Sequence, residues 1–138
     1  MVPDLFDPVG GSARPSVYRL RTPDGVEVPL DLTVYLGRDP SVPRIAMDRR
    51  VRLVSLPSAG KEVSATHLEV RLSGETVVAT DMRSTNGSIV TIPGSAPHTL
   101  LRGESAVITP GTLIDVGDGN ILELVRAKLD SAPTEGES

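Results

Sequence analysis

Between residues 17 and 126, hydrophobic and polar residues alternate in short runs. Val26, Val28, Leu30, Leu32, Val34 and Leu36 are interleaved with Glu27, Pro29, Asp31, Thr33 and Tyr35. That period of two puts the first set on one face of an extended strand. Pro29 has no N–H to give a ladder, which predicts an edge position or a break there. Leu68, Val70 and Leu72 alternate with Glu69 and Arg71 in the same way, and "TVVATDM", "SIVTI", "TLIDV" and "NILELV" are short runs rich in β-branched residues. Turn chemistry separates them: "PDG" at 23–25, "SG" at 73–74, "NG" at 86–87, "PG" at 93–94 and 110–111, "GDGN" at 117–120. "ILELVRAKL" also carries a helical spacing through Ile121, Leu124 and Val125, but its β-branched start and the turn before it predict a strand. Many short strands with frequent turns predict an all-β sandwich or barrel. Residues 1–16 read as a flexible linker and residues 127–138 as a disordered acidic tail.

Composition narrows this picture. A chain of 138 residues is by default one domain. Only 2% of it is aromatic, so the core must be built from Val, Leu, Ile and Ala. A net charge of −4 argues against a general nucleic-acid binder, which shows a basic surface excess. Cysteine is absent, which excludes disulfides and thiolate metal sites. No apolar run approaches the roughly 20 residues of a membrane helix, and the start lacks a basic-then-apolar signal, so a cytoplasmic chain without membrane insertion is expected. His98 stands alone, and "DVGDGN" lacks the spacing and distal Glu of a calcium loop. With no phosphate-cradling Gly-rich fingerprint either, no cofactor or metal is expected.

Three loops carry hydrogen-bonding side chains next to turn chemistry. "LGRDP" offers Arg38, a planar fork of donors suited to carboxylate or phosphate. "VSATH" offers Ser64 and His67, and "DMRSTNGS" offers a strand-ending Asp81 and a tight Asn86-Gly87 turn. Ser64 and His67 could be a nucleophile and its base. No G-x-S-x-G elbow accompanies them, nor an evident oxyanion hole or third group to orient the histidine, so an enzyme is not expected.

The order Gly37-Arg38, Ser64-x-x-His67, Asp81-x-x-Ser84-Thr85-Asn86-Gly87 resembles the forkhead-associated (FHA) domain family. The resemblance covers roughly residues 17–126 and extends to "VITPGTLIDVGDGNILELV"; the approach to Ser64 is similar to FHA modules of actinobacterial proteins. It implies a β-sandwich of two mostly antiparallel sheets, with ligand-binding loops at one end. It implies a phosphothreonine-dependent peptide-binding module that acts downstream of a bacterial Ser/Thr protein kinase. On that resemblance Arg38, Ser64 and Thr85 take the phosphate, and Asn86 holds the peptide backbone. Gly37, His67 and Gly87 shape the loops, and Arg83 is a candidate for choosing an acidic residue after the phosphothreonine. The alternative is a degenerate FHA domain used as a phosphate-independent scaffold within a larger assembly. The chain departs from the pattern in having Ala65 after the serine. It also has a long segment between Arg38 and Ser64 with Arg44, Arg49, Arg50, Arg52 and Lys61, which reads as a solvated insertion or, alternatively, as a basic rim that attracts acidic phosphopeptides.

Overall fold

The computed structural model of the chain describes residues 17–44 and 49–127; the linker read over 1–16 and almost all of the acidic tail lie outside the described residues. The described secondary structure is eleven strands: β1 Tyr18–Arg21, β2 Glu27–Pro29, β3 Thr33–Gly37, β4 Val51–Ser55, β5 Leu68–Ser73, β6 Thr76–Asp81, β7 Ser88–Thr91, β8 His98–Leu100, β9 Ser105–Ile108, β10 Leu113–Asp115 and β11 Ile121–Arg126. They form a six-stranded sheet in the order β2-β1-β11-β10-β7-β8 and a five-stranded sheet in the order β4-β3-β5-β6-β9. Every pairing is antiparallel except β3 with β4, so the expected sandwich of two mostly antiparallel sheets is what the chain forms. Among the described residues, no helix is long and apolar enough to cross a membrane.

The core lies between the sheets. Leu20, Val28, Val90, Ile114, Leu122 and Leu124 from one face meet Val34, Leu36, Leu68, Val70, Val77, Ala79 and Ile108 from the other. It is aliphatic, as the composition requires; Tyr35 is the one aromatic fully buried among the described residues. Its hydroxyl donates to Glu69 Oε2 at 2.9 Å, and burial together with that carboxylate pushes its pKa up to about 12.

The alternating run from Val26 to Leu36 is not one strand. It divides into β2 and β3, which lie in different sheets. Pro29 closes β2 at the edge of the six-stranded sheet, the chain turns through 30–32, and β3 opens in the opposite sheet. Val28, Leu30, Val34 and Leu36 stay buried throughout because both halves face the same interior. An unbroken period of two therefore hides a change of sheet.

The long segment before Ser64 is also more than an insertion. Val51–Ser55 forms β4, parallel to β3 from Thr33↔Val51 to Gly37↔Ser55. As an edge strand it buries little of either face, and Leu53 is 47% exposed, so no strong alternation marks it in the sequence. Arg52 is committed to a bidentate pair with Asp31, Nε to Oδ1 at 3.0 Å and Nη2 to Oδ2 at 2.8 Å. Arg44, Arg49, Arg50 and Lys61 remain exposed.

Truncating Leu122, which is fully buried, should destabilise the fold by about 2–5 kcal/mol in Leu122→Ala. Val107, 58% exposed on edge strand β9, should tolerate Val107→Ala within about 0.5 kcal/mol. Urea midpoints at unchanged m-value measure both.

Candidate functional site

β3 ends at Gly37, and the loop after it runs directly against the loop that precedes β5. Arg38 N–H donates to Ser64 O and Asp39 N–H to Ala65 O, both at 3.0 Å. The contact is backbone on backbone. A Cβ placed on Gly37 would lie 2.0 Å from Ala65 O and 2.8 Å from Ser64 O. Only glycine allows this approach, because no flexible side chain is there to give way.

The same short stretch organises the side chains. Glu62 O accepts from Asn86 Nδ2 at 3.0 Å, and Val63 O accepts from Arg38 Nε at 3.0 Å. Ser64 Oγ accepts from the Thr85 N–H at 3.0 Å. Three consecutive residues thus tie down Arg38, Thr85 and Asn86. What each retains is informative. Arg38 is exposed, and with Nε bound its two terminal nitrogens have no partner among the described residues. Ser64 Oγ is an acceptor toward Thr85, so its own O–H is free to donate. The Thr85 hydroxyl and the Asn86 side-chain carbonyl have no partner among the described residues either.

His67 holds this arrangement from below. It is fully buried. Its Nδ1 accepts from the Ser64 N–H at 3.0 Å, so the ring proton must sit on Nε2, which donates to Gly87 O at 2.8 Å. The neutral ring thereby pins the serine loop to the Asn86-Gly87 turn. Burial lowers its pKa below the ordinary histidine value, outweighing the Gly87 carbonyl and the Asp81 carboxylate 3.8 Å away, which both raise it. A nucleophile's base would face the hydroxyl, whereas the His67 ring contacts the Ser64 backbone.

Asp81, also fully buried, builds the third loop. Its carboxylate accepts from Ser84 N–H at 2.9 Å, Ser84 Oγ at 2.6 Å and Ser88 Oγ at 2.7 Å, and Ser84 Oγ accepts from Gly87 N–H at 2.8 Å. An Asp three residues before a Ser in a turn-rich stretch is a readable signal for local side-chain-to-backbone bonding. Ser88, by contrast, carries none. Gly87 has φ +82°, with Leu100 O 3.0 Å from where a Cβ would sit. Arg83, exposed at the tip of this loop, adopts φ +58°.

One tie has no local signal at all. Asp118, in the β10–β11 turn, accepts from the Ser58 hydroxyl and from Glu62 N–H at 3.0 Å, while its own N–H donates to Glu62 Oε1 at 2.6 Å. The Ser58 hydroxyl and the Glu62 amide hold the Asp118 carboxyl below its ordinary pKa. Asn120 adds a bond to Pro57 O at 2.7 Å. The strap fastens the 56–63 loop to residues more than fifty positions away.

A family model of the FHA domain matches residues 34–117, more than half of the chain. Comparison with curated proteins finds no match. Among solved structures, the FHA domain of CT664 from Chlamydia trachomatis superposes with a TM-score of 0.56 at 20% identity, covering 80% of this chain and 98% of that one. EmbR of Mycobacterium tuberculosis, solved with a low-affinity phosphopeptide, gives 0.57 at 23% identity, over 82% of this chain and 25% of that one. The FhaA FHA domain, solved with the intracellular domain of Rv3910, gives 0.52 at 26% identity, over 78% and 98%. The chain belongs to the FHA domain family.

Because the neutral His67 ring carries both bonds, folding depends on pH. Its folded pKa lies below the unfolded value of about 6.5, so the contribution is complete above that pH and is lost as pH falls toward the folded pKa. The melting temperature should drop between about pH 7.5 and pH 5, and His67→Gln, though less stable at the higher pH, should show a smaller drop. Orphaning the Ser64 N–H and Gly87 C=O should itself cost about 1–3 kcal/mol each.

Proposed function

We propose that this domain binds phosphothreonine-containing peptides, with Arg38, Ser64 and Thr85 on the phosphate and Asn86 on the peptide backbone. The observation that carries this reading is the state of Arg38: its Nε is anchored to Val63 O at 3.0 Å and its terminal nitrogens have no partner among the described residues, beside a serine whose hydroxyl proton also has none there. An arginine fixed at Nε with its fork presented has lost its rotamer freedom before any ligand arrives, which favours binding. A phosphothreonine brings about −1.5 to −2 charges and several strong acceptors to meet it. Membership of the FHA family, and a fold shared with EmbR solved with a phosphopeptide, support the same reading.

Asn86 donates to Glu62 O and keeps its side-chain carbonyl for a ligand N–H, so it grips an extended peptide without reading its side chains. Arg83, exposed on the same loop, is proposed to favour an acidic residue after the phosphothreonine. The module works in bacterial Ser/Thr kinase signalling in the cytoplasm, and it binds rather than catalyses. The domain itself is taken to span residues 17–126, flanked by the linker and the acidic tail.

Arg38→Ala should abolish binding to phosphothreonine peptides while leaving the melting temperature within about 2 °C of the parent, since an exposed side chain contributes little to folding. Calorimetry with paired phosphothreonine, phosphoserine and unphosphorylated peptides measures it. Tight binding by the mutant would sink the pocket assignment, and a folded parent indifferent to phosphate would favour a phosphate-independent scaffold.

A further inference from the structure

Beside Asn86 lies a cleft of about 330 Å³, lined by Glu62, Asn86, Gly87, Ile89, Asp115, Val116 and Gly117. It sits at the small end of the size range of ligand pockets, about 300–1,000 Å³. Its walls come from three separate parts of the chain: the loop before Ser64, the turn leading into β7, and the end of β10. Ile89 and Asp115 face each other directly across the β7–β10 ladder, and Ile89 is 42% exposed. The wall residues therefore offer an uncovered aliphatic surface with two carboxylates around it.

Both carboxylates are held in place by one oxygen each. Glu62 Oε1 takes the Asp118 N–H at 2.6 Å, and Asp115 Oδ1 takes the Gly117 N–H at 3.0 Å. The second oxygen of each has no partner among the described residues, and no cationic side chain lines the cleft. Glu62 has its Cβ close against Gly117, where an added Cβ would be 2.8 Å from it. Its backbone carbonyl is the group that holds Asn86. Asn86 is itself a wall of the cleft, so a peptide held on Asn86 is brought beside it.

Resting on the phosphothreonine reading above, we propose that the cleft selects a lysine or arginine near the phosphothreonine, with Glu62 and Asp115 as the specificity-determining residues. The long aliphatic stem of a basic side chain suits Ile89, and its charged head reaches the two free carboxylate oxygens while staying partly hydrated. A divalent cation is the poorer fit, since hard cations want six or more oxygen ligands and this cleft supplies two free carboxylate oxygens. The preference is opposite in sign to the one proposed for Arg83, so the two concern different positions of the ligand and separate in one experiment.

The test is a fluorescence-polarisation series on phosphothreonine peptides in which each flanking position in turn carries Lys, Arg, norleucine or Glu. The proteins are the parent, Glu62→Gln, Asp115→Asn and the double variant; both changes keep a hydrogen-bond acceptor for the backbone N–H each side chain now holds. At one position the parent should favour Lys or Arg over norleucine and Glu by roughly five- to tenfold. The double variant should reduce that ratio to about one, while phosphothreonine is still preferred over threonine. Three results overturn the inference with the phosphothreonine reading intact. One is phosphate-dependent binding with no basic preference anywhere. Another is an equal basic preference at every position, which is what the net charge of −4 alone would give. The last is a preference that the variants leave unchanged. Loss of phosphate dependence in the folded parent would instead remove the reading on which the inference stands.

Discussion

The binding end depends on one close approach, that of the Gly37 backbone to the carbonyls of Ser64 and Ala65. Two loops that meet main chain to main chain are fixed to within the tolerance of a hydrogen bond, and the side chains they carry inherit that precision. Arg38 follows immediately after Gly37, and Ser64 supplies one of the carbonyls, so the donors proposed for phosphate are separated by backbone geometry rather than by flexible side chains. The sandwich beneath supplies what this contact needs. β3 and β5 are adjacent in one sheet, and Leu36 pairs with Leu68 in their ladder, so the strands deliver both loops to the same end at the same height.

A second layer holds the first. His67, buried and neutral, joins the serine loop to the Asn86-Gly87 turn, and Asp81 with Ser84 and Ser88 shapes that turn from inside. The 56–63 loop is then strapped to the β10–β11 turn through Asp118 and Glu62. Among the described residues, three non-glycine residues have positive φ, Lys61, Arg83 and Asp118, and they fall one in each of these three loops. Such conformations cost of order 1–3 kcal/mol and persist where surroundings over-determine them, as the hydrogen bonds here do.

Much of this was legible in the sequence, for identifiable reasons. Strands such as β5, β6 and β11 announce themselves because each has one buried and one more exposed face, so alternation is strong. The change of sheet after Pro29 was not legible, because the residues on both sides of it face a single interior and the period of two runs on unbroken. β4 escaped because an edge strand with neither face deeply buried has no pattern to show. At the site, Arg38, Ser64, His67 and Asn86 stand in short motifs whose local turns can be read. Glu62, Asp115 and Asp118 cannot be found that way. Their meaning arises only when β7 and β10 pair and the 56–63 loop folds over, contacts between residues far apart in the chain.

The stretch Glu62–Ser64 holds Asn86 and Arg38 through its peptide carbonyls, not its side chains. Any amino acid at position 62 or 63 offers the same carbonyl. A substitution at position 62 therefore removes the side-chain bond to Asp118 N–H but keeps the carbonyl that holds Asn86. On the proposed reading, recognition and grip lie in different chemical parts of one residue, which would let a lineage of such domains exchange partners by single substitutions without passing through a form that has lost its ligand altogether.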